Sequence, residues 1–184
     1  MDARTTMLLL NTLALAAAVC AASVPLGTAA AWLVARTDMP GRKIAVALAA
    51  LMLFVPLYLQ AGAWQAGFGT QGWYTLALGG TVWLEGFRAA VWIHAAAALP
   101  WVVLIVGAGM RLVEPELEEQ AMLDGSARQV FARVTLPSAA WAVGAATLWV
   151  AIVTAGEMTV TDLFAVRTYA EELYTQTAIG AGPG

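Results

Sequence analysis

The side chains able to do acid, base or metal chemistry are few, and their spacing excludes most chemistries. His94 is the single histidine and Cys20 the single cysteine. A zinc or iron–sulfur centre needs several such ligands at close spacing, and one cysteine forbids an intrachain disulfide. With no carboxylate or cysteine beside it in sequence, His94 reads as a packing or hydrogen-bonding residue rather than a metal ligand. There is no HExxH, no nucleophile elbow and no phosphate-binding glycine loop. The sequence thus predicts no catalytic residue, no metal and no cofactor. Two carboxylates stand apart. Glu157 closes an apolar run and Asp162 comes five residues later. Burying an ionisable group in a bilayer is costly, so the two are candidates for a gate or pathway; the competing reading places Glu157 at the interface, in water.

The elements that must position these residues are apolar. Hydrophobic residues make up 61% of the 184 and charged ones 11%, against about half and about a quarter in a soluble domain. Eight Trp and 17 Gly add two residue types frequent in membrane proteins. A net charge of -3 with scattered basic residues argues against a nucleic-acid surface. Four stretches meet the length of about 20 apolar residues that a span needs: about 7–34, 44–63, 89–110 and 138–155. Pro25 and Gly27 predict a kink in the first, Pro56 lies inside the second, and the first is too long for the core of a cleaved signal. Arg36, Arg42 and Lys43 come after the first span, and Arg111, Arg128 and Arg133 after the third; Arg4, Arg88 and Arg167 fall on the other side. By the positive-inside rule the first and third loops are cytoplasmic and both termini outside. Trp64 and Trp73 read as outer-loop residues, Trp101 and Trp141 as residues of spans, each serving an interface ring or plain packing. Residues 67–72 (GFGTQG) read as a loop, and 180–184 as an unstructured end. The whole chain, 1–184, reads as one transmembrane domain.

The third loop carries the densest pattern, EPELEEQAMLDGSARQVFARVTLPSA from Glu114 to Ala139. Pro115 suits a first helical position, and Glu116, Glu118 and Glu119 place negative charge where the helix dipole favours it. Gly125 is expected to end or bend that helix, Ser126 with Gln129 has the form of a capping box, and Pro137 suits the opening of the fourth span. The pattern therefore predicts a helix, bend, helix unit over about 114–134. On pattern alone it is either a knob that transmits force from a soluble partner or an interfacial helix that anchors the loop.

Glu119, Gln120, Ala121, Gly125, Val134, Leu136 and Pro137 together resemble the signature of binding-protein-dependent ABC importer permeases, in which Glu-Ala-Ala is followed by Gly and later by an aliphatic residue, Leu and Pro. Gln120 stands where the family has its first Ala, and the gap from Gly to the aliphatic position is one residue shorter. The segments Thr12–Lys43 and Gly156–Gln176 are similar to the same family, the latter to its ferric-iron subgroup. The resemblance implies an all-α polytopic helix bundle of the type I importer fold, lacking its final span. It also implies that the third loop is a coupling helix seated on a cytoplasmic ABC ATPase, with Glu119, Gln120, Ala121, Gly125, Leu136 and Pro137 as coupling residues. A second permease copy or half, a periplasmic or extracellular substrate-binding protein and a bacterial plasma (inner) membrane complete that expectation. The alternatives are a membrane assembly subunit without a transport cycle and an inactive permease fragment.

Overall fold

A computed structural model describes residues 3–79, 82–178 and 180 of the chain. Of the end expected to be unstructured, 181–184 lie outside the described residues. The described residues form helices and no strand, as runs rich in Ala and Leu favour. Two of the helices, α1 (Ala3–Arg36) and α5 (Gly86–Arg111), are each long and apolar enough to cross a membrane. Two broken pairs pass the same test taken together: α2 (Arg42–Met52) with α3 and α4 (Leu57–Phe68, Trp73–Leu78), and Ala127–Ser138 with α9 (Ala140–Gly156). Up to four spans are therefore present by length and composition.

The expected spans 7–34, 89–110 and 138–155 fall on α1, α5 and α9. The expected continuous span 44–63 is corrected, because α2 stops at Met52 and α3 starts only at Leu57. Pro56 is the N-cap of α3, at φ −56° and ψ 142°. Its ring and missing N–H prevent a helix from running through from Met52, and it sets up the next one. The outer-loop placement of Trp64 and Trp73 is corrected too: α3 extends to Phe68 and α4 opens at Trp73, so both are helical and the loop shrinks to 69–72.

The chain divides into two compact units. One comprises Met1–Ala21, Val55–Ala97 and Val150–Gly184. Within it, Trp64 and Trp83 both meet Trp92 edge-on, at 5.5 and 4.9 Å between ring centroids, an arrangement that the ring quadrupoles favour. Residues after α10 (Thr159–Leu163) are strapped onto α1: Asn11 Nδ2 donates to Arg167 O, the Tyr169 N–H donates to Thr12 Oγ1, both at 3.0 Å, and Arg4 pairs with Glu172 of α11 (Tyr169–Ala178) at 2.7 Å.

The other unit comprises Ala22–Phe54 and Ala98–Trp149. Its helices approach through small residues. A Cβ added to Gly27 would stand 2.6 Å from Val102 Cβ, and one added to Gly109 would overlap Ala142 Cβ. Gly27 therefore serves close packing of α1 on α5, while α1 runs through Pro25 as one helix. Without a hydrophobic driving force between helices in lipid, such backbone proximity is a main source of packing energy. Gly109→Ala should lower stability by about 1–3 kcal/mol, and adding Ala142→Gly should restore part of it. Thermal unfolding of the three variants in detergent checks the pair; equal stability of Gly109→Ala and native protein would refute the contact.

Candidate functional site

The third loop folds as a helix, bend, helix unit, as its pattern predicts. Helix α6 (Pro115–Asp124) has Pro115 in its first turn with Glu116 and Glu118, and α7 (Ala127–Val130) comes after Gly125 and Ser126. The Ser126 N–H donates to Gln129 Oε1 at 2.9 Å, one half of the expected capping box. Two details differ from expectation. Gly125 bends the chain at φ −143° and ψ 162°, an extended conformation open to any residue, so the bend does not draw on glycine's freedom. A Cβ there would meet Ala121 O at 3.3 Å, a tight but small conflict. Pro137 does not open the fourth span. It lies in α8 (Leu136–Ser138), after a π-helical turn at Phe131–Thr135. The chain then turns by 68° at Ala139 before α9. Because Pro137 has no N–H to give the preceding turn, a widened turn before it loses little.

Helix α6 is fixed by an ion pair that no sequence pattern announces. Arg36, the last residue of α1, sends Nη2 to the carbonyls of Met110 and Val113 at 2.5 and 2.6 Å, and its Nη1 lies 3.3 Å from Glu118 Oε2. The Thr135 hydroxyl donates to the other oxygen, Glu118 Oε1. Both charged side chains are largely buried, at 15% and 12% exposure. Both carbonyls stand at the negative end of the α5 dipole; Met110 O also accepts the Val113 N–H at 3.1 Å, so the guanidinium is its second donor. In sequence Arg36 is a topology signal and Glu118 a dipole charge; neither type nor spacing points to their contact, which only folding creates.

The expected coupling residues are placed unevenly. Glu119, Gln120 and Pro137 are exposed and Leu136 is half-buried. Ala121 and Gly125, with Asp124, Gln129 and Arg133, line a shallow pocket of about 230 Å³. Leu117, Met122 and Leu123 of α6 are exposed, Leu123 at 85%.

The carboxylate pair expected near the end of the fourth span is not brought together. Asp162 is exposed on α10. Glu157 instead accepts from the Thr159 and Val160 N–H groups at 2.7 and 3.0 Å, capping α10, and faces His94. The reading in which it merely meets water is thereby corrected. His94 is 4% exposed, and its Nδ1 lies 2.8 Å from Ala90 O. A carbonyl only accepts, so Nδ1 holds a proton. Nε2 stands 3.3 Å from Glu157 Oε2, an ion-pair distance without hydrogen-bond alignment, and the contact attracts only when a proton lies between them. Burial pushes the Glu157 carboxyl up, but the His94 ring when Nε2 carries a proton, together with the Val160 and Thr159 amides, outweighs it and holds it below its usual value. Among the described residues no group of three metal-ligating side chains occurs.

No known family model matches this chain, and a search of curated proteins finds no match.

The buried pair and the buried carboxylate each make a measurable difference. Glu118→Ala strands a buried guanidinium and should cost about 3 kcal/mol, whereas Glu119→Ala on the exposed face should stay within about 0.5 kcal/mol; unfolding midpoints in detergent compare them. Because the folded Glu157 carboxyl is the stronger acid, its stabilisation is complete above its unfolded value of about 4.5 and disappears as pH falls through the lower folded value. Unfolding measured across that window should therefore be less pH-dependent in Glu157→Gln than in native protein.

Proposed function

We propose that this chain is the membrane-spanning permease subunit of an ATP-driven ABC importer, located in a bacterial plasma membrane, with α6 and α7 as the element that docks a cytoplasmic ABC ATPase. One observation carries the reading. A short helix with exposed Leu117, Met122 and Leu123 is clamped through Glu118 and Arg36 to the ends of two helices long enough to span. A partner that pulls on the exposed side of α6 thus moves α1 and α5 through a buried charge contact rather than through a loose tether. Interfacial anchoring fits α6 less well. Anchors of that kind carry Lys and Arg toward the headgroups, while α6 has four acidic residues and no basic one.

In this reading the exposed apolar side chains enter the ATPase groove, with Glu119 and Gln120 at its polar rim. A second permease copy or half faces this one across the pathway, and a separate binding protein delivers the cargo. The ATP is hydrolysed on the partner.

Co-purification of an ABC-type ATPase with the chain from its native membrane, identified by mass spectrometry, tests the proposal. Native chain should retain the ATPase, and Met122→Asp combined with Leu123→Asp should reduce retention at least about tenfold, as loss of a small apolar hot spot does, with an unchanged unfolding midpoint. Equal retention by both, or none by a folded native chain, would overturn it.

A further inference from the structure

Within the same unit as Arg36, the end of α1, the start of α2 and the end of α5 enclose a pocket of about 450 Å³ lined by Val34, Ala35, Arg42, Lys43, Val46 and Arg111. Three of its six residues are cations, contributed by two helices. Arg42 spends part of its charge on exposed Asp38 at 3.4 Å and on Thr37 O at 3.2 Å. Among the described residues Lys43 and Arg111 have no hydrogen-bond or ion-pair partner. The pocket's other half is apolar, and it lies where the apolar runs of both candidate spans end, at Arg36 and Arg111. On α2, Val46 stands about one turn from Lys43 and extends the apolar wall of Val34 and Ala35.

We infer that this pocket binds the headgroup of an anionic phospholipid, the phosphate between Lys43 and Arg111 and the start of an acyl chain against Val34, Ala35 and Val46. Charge complementarity selects the anion, and the apolar wall of Val34, Ala35 and Val46 beside the cations, where the apolar runs end, selects a lipid over a free phosphate. Basic pockets between helices at a membrane surface hold such headgroups by direct ion pairing in a medium less polar than water. The inference rests on α1 and α5 crossing the bilayer.

The test uses the full chain in a zwitterionic detergent. Bound lipid is counted by native mass spectrometry during titration with phosphatidylglycerol, phosphatidylcholine or soluble glycerol 3-phosphate. Phosphatidylglycerol should bind and raise the unfolding temperature, and the other two should not. Lys43→Gln with Arg111→Gln should weaken phosphatidylglycerol binding about five-fold per cation removed, so about 25-fold together, while Lys43→Arg with Arg111→Lys keeps it. Equal binding of phosphatidylcholine, an undiminished affinity in the Gln pair, or an equal response to glycerol 3-phosphate would each overturn the inference. Alkaline carbonate extraction of membranes separates its failure from that of the spanning reading. A chain that stays with the bilayer but ignores phosphatidylglycerol refutes the lipid site alone, and a chain released by carbonate refutes both.

Discussion

Arg36 is a charge that cannot leave its place without exposing three other groups. Its guanidinium answers the Met110 and Val113 carbonyls and the Glu118 carboxylate in one fork, a geometry that a lysine's single ammonium could not reproduce. Glu118 in turn holds the Thr135 hydroxyl. Two long helices, one short acidic helix and a π-helical turn thereby share one buried electrostatic contact. Taking both charges out of water is expensive; both carboxylate oxygens and both terminal guanidinium nitrogens are engaged, while buried Arg36 Nε has no partner, so the pair fixes geometry more than it adds stability. The helix, bend, helix unit inherits its rigidity from that contact, since its own capping box adds only a local tie.

Much of the architecture is legible in the sequence because it depends on runs rather than on single residues. The apolar helices α1, α5 and α9 come from apolar runs in the sequence, and α6 comes from Pro115 and the acids behind it. Sequence reasoning fails where it assigns a local role to a residue whose role is tertiary. In sequence Gly27 is read only with Pro25, whereas its missing Cβ also makes room for Val102, a role that spacing does not announce. Gly125 suggests unusual backbone angles, yet it takes ordinary ones. Pro56 suggests an interior residue of a span, where its steric demand instead separates two helices. In the candidate site, a motif favours Glu119 over Glu118; burial, which no motif records, distinguishes them.

His94 and Glu157 show the same limit from the other direction. Taken alone, each is ordinary in type and position. Their meeting requires α5 to be packed beside the residues after α9, a contact set by helices far apart in sequence. A solitary histidine acquires a carboxylate partner that way, and its other nitrogen is already committed to Ala90 O.

The π-helical turn at Phe131–Thr135 holds one residue more than an α-helical turn would. Each added residue rotates the downstream chain by about 100° around the axis. The five residues therefore act as a phase shifter: they let Val130 face inward ahead of the turn and still deliver Thr135 to Glu118 at its end. A length change of one residue between the bend and the Leu136-Pro137 step can be taken up in this turn, by tightening it to α, without re-aiming α6. The spacing of that loop is thus a freer variable than the identity of the residues at its two ends.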